Sequence, residues 1–142
     1  MNLDIENLPE ALVDTATAGW EAILERADDD LAARLIAERS GEGEGQLARM
    51  LACSPFVAGL CRRKPELLLE LLSSGMLHRS LEADEIRAGL QEVLAEDGAE
   101  LDVALRLHRQ RHMLRIVWRD FCRLADTMET VRDTSLLAEA CI

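Results

Sequence analysis

Apolar residues recur at three- and four-residue spacing along most of the chain, which is the period of amphipathic α-helices. The first such face consists of Leu12, Ala16, Trp20, Ile23 and Ala27. The longest uninterrupted pattern predicts a helix over about 99–125, which spans roughly 40 Å at the standard rise per residue. A last pattern predicts a helix over 127–142 that is still apolar at the end of the chain. Because it has no capping glycine or polar tail, this end indicates a segment cut from a longer protein.

Cap and stop residues separate the predicted helices. Ser54-Pro55 has the order of a cap followed by a proline at the first helical position. Asp126 is followed by a glutamate three residues on, as in a capping box, and Ser80 is a candidate cap for another helix. Gly75 follows an apolar run and predicts the end of a helix.

Composition supports the same fold class. Aromatic residues make up only 3% of the chain although 49% of it is hydrophobic, and unbranched apolar side chains favour helix over strand. Alternating glycine and glutamate predict a flexible loop over 40–46, because glycine makes a backbone costly to order. The sequence therefore predicts an all-α fold, with one helical domain over residues 1–142 that contains seven or eight helices.

The charge of the chain is unevenly distributed. The net charge of −11 argues against nucleic acid as a partner, because contact with phosphates needs a positive surface. Between Arg106 and Arg123, however, there are six arginines and one acidic residue, Asp120, which gives a local balance of +5. The basic side chains are therefore concentrated on the long predicted helix.

This arginine-rich helix carries a candidate interaction face. Arg111, Arg115 and Arg119 are four residues apart and share one side of a helix. Arg109 and Trp118 complete the candidate set. Guanidinium groups suit carboxylates, phosphates or an acidic protein surface. The alternative is a solvated basic face that pairs with acidic neighbours inside the fold, and both interpretations stay open here.

Catalytic and metal-binding motifs are not evident in the sequence. His108 and His112 have a spacing that can bind a metal, but the H-E-x-x-H pattern is absent and arginines lie between them. A solvated or stacking histidine face is the favoured interpretation. The acidic residues form no recognisable acid/base pair, and no nucleophile elbow, P-loop or dinucleotide fingerprint occurs. We therefore predict no catalytic, cofactor-binding or metal-binding residue in this chain.

Cysteine usage and the amino terminus predict a cytoplasmic location. The cysteines lie among apolar neighbours without metal-binding spacing, which predicts small buried hydrophobic residues in a reducing compartment; they are Cys53, Cys61, Cys122 and Cys141. The first residues are acidic, where a secretion signal would be basic and then apolar. No stretch approaches the ~20 apolar residues of a membrane span, so we expect no contact with a membrane.

The segment over residues 105–120, with the sequence L-R-L-H-R-Q-R-H-M-L-R-I-V-W-R-D, resembles a stretch of the bifunctional glutamine synthetase adenylyltransferase/adenylyl-removing enzymes. That family has the pattern L-R-x-x-R-R-R-x-M-[LV]-R-I-x-W ahead of its first nucleotidyltransferase domain. The matching residues are Arg109, Arg111, Met113, Arg115, Ile116 and Trp118, and Gln110 replaces the middle arginine. Shorter pieces within 51–68 and 124–139 agree in the same order. The resemblance extends over residues 51–142 and is looser over residues 1–45.

The resemblance implies a parent enzyme that attaches AMP to a tyrosine of glutamine synthetase and removes it by phosphorolysis. It also implies Mg and ATP as cofactors of the full-length enzyme, and a response to glutamine and the PII signal protein. The family's glycine-rich motif, with two metal-binding aspartates, follows this stretch and is absent from the chain. We therefore expect an N-terminal helical fragment without a catalytic site, whose partners are the nucleotidyltransferase domain and, in addition, glutamine synthetase or PII. The alternative is a free-standing helical protein–protein interaction module without enzymatic activity.

Overall fold

The computed structural model describes residues 8–39, 44–96, 98 and 100–142. These residues form eight α-helices and one short 3₁₀ helix without any strand, so the predicted all-α fold is confirmed. In chain order the helices are α1 (Glu10–Arg26), α2 (Asp29–Arg39), α3 (Glu44–Cys53), α4 (Pro55–Arg63), α5 (Pro65–Ser73), the 3₁₀ helix (Met76–His78), α6 (Ala83–Leu94), α7 (Leu101–Phe121) and α8 (Thr127–Ala140). Over the ranges described, no helix combines the length and the apolar character needed to cross a bilayer.

The chain divides into two compact units, Met1–Gly75 and Met76–Ile142. In the first unit α1 packs on α3 and α4, and α2 packs on α5. Its interior is filled by large apolar side chains that are fully buried, each contributing about 1.5–3 kcal/mol; among them are Trp20, Ile23, Leu35, Leu47, Met50, Leu60 and Leu68. Trp20 and Ile23 belong to the apolar face predicted for α1, and that face is the buried one.

In the second unit α6, α7 and α8 pack on one another, and the 3₁₀ helix packs on α7. A core cluster of Leu81, Ile86, Ile116 and Leu137 lies among these helices. The segment between the 3₁₀ helix and α6 contributes the first of these side chains, so it belongs to the interior of the unit. The prediction of a single domain over residues 1–142 stays a prediction.

Several helix ends follow the predicted local chemistry. The hydroxyl oxygen of Ser54 accepts the amide of Val57 at 3.2 Å, which caps α4. The carboxylate of Asp126 accepts the amide of Glu129 at 2.8 Å and caps α8. Gly75 has φ +78° directly after α5, a backbone conformation that glycine adopts without steric cost. These caps and this stop signal are confirmed.

The prediction of Ser80 as a helix cap is wrong. Helix α6 begins three residues later, after Glu82, whose amide donates to the carboxylate of Glu85 at 2.6 Å. The hydroxyl of Ser80 donates instead to the carboxylate of Glu129 on α8. Ser80 therefore links two elements of the second unit, a contact that local sequence spacing does not reveal.

The long helix is shorter than the predicted 99–125. Residue 99 lies outside the described residues, and the carboxyl end of α7 falls four residues before the predicted end, at Phe121. Arg123 adopts φ +57°, and the amide of Leu124 turns back to the carbonyl of Arg119 at 2.8 Å. This is the hydrogen bond of a Schellman motif, in which glycine is the usual left-handed residue. Because arginine occupies that position, no stop signal is visible in the sequence.

Two other predicted boundaries also change. Of the loop predicted over 40–46, residues 40–43 lie outside the described residues, and α3 already begins at Glu44. A glycine in the first turn of a helix is tolerated, because the first four amides have no partner within the helix. The final helix, predicted over 127–142, ends at Ala140, where the amide of Cys141 closes the last turn.

The cysteines differ in exposure. Cys61 is buried, Cys122 and Cys141 are half-buried, and Cys53 is exposed. The prediction of buried cysteines is therefore wrong for Cys53, because this residue is the last of α3 and lies beyond the helix's packed face. Burial raises the pKa of the Cys61 thiol to about 12.

Candidate functional site

The buried face of α7 is largely polar. Ala104, His108, His112, Arg115 and Arg119 follow one another at spacings of three or four residues, which places them on one side of the helix. All five are at most 4% exposed. Buried histidine and arginine side chains need partners or must stay neutral, so this face is where the second unit has its distinctive chemistry.

Arg115 connects α7 to the 3₁₀ segment and to α8. Its Nε donates to the carbonyl of Met76 at 2.9 Å, and its Nη2 donates to the carbonyl of Arg79 at 2.7 Å. Its Nη1 bonds the carboxylate of Asp133 at 3.0 Å. Each nitrogen of the guanidinium group therefore has a partner. The planar group joins α7 to α8 and to the segment over residues 76–79.

Arg119 makes a second set of bonds one turn further along α7. Its Nη1 donates to the carbonyl of Leu77 and its Nη2 to the carbonyl of Leu124, the latter at 3.1 Å. The same Nη2 bonds the carboxylate of Glu129 at 3.1 Å. The hydrogen bond from Ser80 lowers the pKa of the Glu129 carboxyl, and Arg119 acts in the same direction. Glu129 is therefore held in its charged form.

Asp133 is the buried anion at the centre of this network. It lies on α8 with its side chain 3% exposed, opposite the 1% exposed side chain of Arg115. Its other carboxylate oxygen bonds Arg132 at 3.0 Å, and Arg132 also donates to the carbonyl of Leu81 at 2.7 Å. Burial lowers the pKa of Arg115, while the hydrogen bond to Asp133 opposes that effect. Arg115 stays charged because an arginine does not lose its proton in a protein.

His108 and His112 lie on the same face of α7, in edge-to-face contact with ring centroids 4.5 Å apart. Both rings face α6, because a Cβ added at Gly89 would lie 3.6 Å from each. Burial lowers the pKa of His108, and it lowers the pKa of His112 to about 4. Both imidazoles are therefore neutral at pH 7. Neither ring nitrogen of His108 has a hydrogen-bond partner among the described residues.

The two histidine rings therefore contact each other inside the unit. Of the two interpretations of this face, ring contact agrees with the structure, and the solvated histidine face is wrong. No group of three His, Cys, Asp or Glu side chains that could hold a metal occurs in the part of the chain that is described. The donor set that Mg needs, several oxygen ligands around one point, is likewise not assembled there.

The candidate interaction face does not form one surface. Arg115, Trp118 and Arg119 are buried, whereas Arg109 is exposed and Arg111 is half-buried. Burial follows from the carbonyl groups and carboxylates that the second unit itself supplies to the two inner arginines. For Arg115 and Arg119 the correct interpretation is the alternative, in which the arginines pair with acidic groups inside the fold. The signal that could have revealed this was the presence of His108 and His112 on the same helical face.

The fold and this network define a class of protein, an all-helical segment whose second unit is organised around buried arginines. The family follows from a comparison of sequences. The glutamate-ammonia ligase adenylyltransferase family matches residues 44–142, which is more than half of the chain, so the chain belongs to that family. The resemblance drawn from the arginine-rich helix is confirmed.

Curated relatives extend the similarity over the whole chain. Two of them are bifunctional glutamine synthetase adenylyltransferase/adenylyl-removing enzymes. The one from Thioalkalivibrio sulfidiphilus is 48% identical over 98 residues, covering 68% of this chain and 10% of the relative. The one from Pseudomonas aeruginosa is 39% identical over 143 residues, covering 97% of this chain and 14% of the relative. The chain thus spans about a tenth to a seventh of its relatives' length. No solved structure matches it.

Proposed function

We propose that this chain is an N-terminal helical, non-catalytic segment of an enzyme that adds adenylyl groups to glutamine synthetase and removes them. Its family membership over residues 44–142, combined with a span of only 10–14% of its relatives' length, carries the proposal. The relatives' name supplies both activities. Mg and ATP belong to other parts of such an enzyme, and the segment acts in the cytoplasm.

The role of the segment in this proposal is to hold a rigid surface next to the nucleotidyltransferase domain. Arg115 and Arg119 on α7 each bond a carboxylate of α8 and a backbone carbonyl in or next to the 3₁₀ helix. These bonds fix the positions of the three helices. Multidentate arginine contacts restrict orientation more than apolar packing does. The outer faces of α7 and α8 therefore keep a defined geometry.

The outer face of α8 is the surface that we assign to the rest of the parent enzyme. Met128 is 76% exposed and Val131 is 56% exposed, and two further exposed positions continue the same side of the helix, at Ser135 and Ala138. Exposed apolar side chains aligned along a helix are typical of a contact surface. The relatives support this occupant, because more than four-fifths of their chain lies outside the part matched here.

A chimera tests this proposal. In the Pseudomonas aeruginosa enzyme, the segment that aligns with this chain over 143 residues is replaced by this chain. Addition of adenylyl groups to glutamine synthetase and their removal are then measured separately. We expect the chimera to retain both activities and the 142-residue chain alone to show neither. A chimera that folds but lacks both activities, or an isolated chain that transfers adenylyl groups, contradicts the proposal.

Matched variants test the surface on α8. Val131→Asp in the chimera should lower activity, because a charge at this position would be buried against the neighbouring domain. Thr134→Asp is the control, since Thr134 is exposed on the same helix but outside the apolar line. Equal activity of the two variants excludes the α8 surface as the contact.

The free-standing interaction module is the second candidate, and the exposed Arg109 with the nearby exposed Arg106 favours it. The isolated chain would then bind glutamine synthetase or PII directly. Binding that is measured by calorimetry, and lost in Arg106→Glu with Arg109→Glu while circular dichroism stays helical, supports this candidate. Absence of binding by the unmodified chain excludes it.

A further inference from the structure

Helices α1 and α4 of the first unit leave an open groove along their outer sides. One part of the groove is a cavity of about 350 Å³, lined by Arg62 and otherwise by residues with small side chains. These small residues are Ala18, Gly19 and Ala22 on α1 and Pro55, Ala58 and Gly59 on α4. On each helix the three residues lie within one turn, so each set faces the groove from a single side.

Arginines border the adjoining part of the groove. A second cavity of about 530 Å³ shares Ala22 and Arg62 with the first and is also lined by Arg26, Arg63 and Glu25. The three guanidinium groups face a single carboxylate in a chain whose net charge is −11. All three arginines are exposed, and none of them is ion-paired within the described ranges. The groove is thus apolar along its floor and positive at one end.

The positive end has a partial structural explanation. Arg26 lies in the last turn of α1, and Arg62 and Arg63 lie in the last turn of α4, where basic residues favour the negative end of the helix dipole. The helix dipole explains why arginines occur in these last turns. It does not explain why the two helix ends lie side by side, next to a floor of small residues. The combination of floor and charge is what calls for a ligand.

We infer that this groove binds an acidic α-helical segment of a partner protein. A helix needs a shallow trough about 10 Å wide and close approach of its backbone, which the small side chains of the floor permit. Carboxylates on that helix match the three arginine forks by charge and geometry. A nucleic acid does not fit, because three arginines on a chain with a net charge of −11 supply too few phosphate contacts.

The proposal is tested by titrating the labelled 142-residue chain with a synthetic alanine-based helical peptide that carries glutamate at every fourth position. Chemical shifts of the α1 and α4 amides should change on binding. The same peptide with lysine in place of glutamate should not bind. Arg62→Glu should weaken binding about two- to fivefold, as expected for the loss of an exposed charge pair. Arg34→Glu is the matched control, because Arg34 is exposed on α2 of the same unit and does not line the groove.

A second variant tests the floor without changing charge. Ala58→Leu fills the groove, and we expect weaker binding with unchanged helical content, because Ala58 is only half-buried. Equal binding by Ala58→Leu, or equal weakening by Arg34→Glu, overturns the proposal. Inorganic phosphate that displaces the peptide at a similar concentration would replace it by a simple anion site. Self-association of the unmodified chain that is lost in Arg62→Glu would replace it by a contact between two copies. These results do not depend on the chimera, so each proposal can fail separately.

Discussion

Removal of the Asp133 carboxylate should destabilise the second unit more than any other single change on α8. In Asp133→Ala the guanidinium of Arg115 stays buried, because its other two nitrogens remain bonded to the carbonyls of Met76 and Arg79. The charge can neither leave nor lose its proton. Breaking one partner of a buried ion pair costs about 3–5 kcal/mol, and the pair here is 1% and 3% exposed.

The second contact of Asp133 adds little to this figure. Arg132 is 47% exposed, and exposed ion pairs contribute about 0–1 kcal/mol. We therefore expect a loss of about 3–5 kcal/mol in the free energy of unfolding. A folded protein has a free energy of unfolding of about 5–15 kcal/mol, so the variant should lose a large part of its stability.

Urea unfolding followed by tryptophan fluorescence measures this loss. In a Trp20→Phe background the remaining tryptophan is Trp118 on α7, so the signal reports on the second unit. Glu139→Ala, at an exposed position of α8, is the control and should change stability by about 0.5 kcal/mol or less. In the double-mutant cycle with Arg115→Met we expect a coupling energy of about 1–3 kcal/mol. A loss in Asp133→Ala no larger than that in the control would refute the interpretation of a charged, buried pair.

Three further predictions concern groups elsewhere in the fold. Burial lowers the pKa of His112 to about 4, so the neutral ring contributes its full stability above pH 6.5. As the pH falls from 6.5 to 4, the free energy of unfolding should fall by up to about 3 kcal/mol. His112→Gln should remove this part of the pH dependence of unfolding. Arg123→Gly should raise stability by up to about 1 kcal/mol, since it relieves a left-handed conformation, and an unchanged or lower urea midpoint would contradict that reason. Thiol reagents should label Cys53 rapidly and Cys61 only on unfolding, because burial raises the pKa of the Cys61 thiol to about 12; mass spectrometry of the labelled native chain shows which cysteine reacts.

Local chemistry made most helices predictable. Ser54 and Asp126 cap their helices as expected because a cap depends on a bond over three residues. The carboxyl end of α7 was not predictable in the same way. Its stop depends on Arg123 in a left-handed conformation, which arginine adopts only when the surrounding contacts impose it.

The buried polar side of α7 was the main feature that the sequence did not reveal. Val103 and Phe121 follow the apolar period of the helix, but they are 54% and 42% exposed. The residues that are buried instead include Arg115 and Arg119, whose partners are backbone carbonyls up to 42 residues away in the chain. Distant carbonyl groups carry no signal in side-chain identity, so periodicity alone places arginine on the outside of a helix.

The buried residues of the arginine-rich helix that identify the family are therefore not the residues that contact other proteins. Arg115, Ile116 and Trp118, which carried the resemblance to the family, are buried and determine how the second unit folds. They identify the segment without serving as its contact surface. Contacts with other proteins come from side chains that the fold leaves outside, and the two surfaces that we propose for them are the apolar line on α8 and the arginine-bordered groove between α1 and α4. Because these surfaces lie on different units and differ in chemistry, Val131→Asp and Arg62→Glu should affect different partners, and a variant that abolishes one contact should leave the other intact.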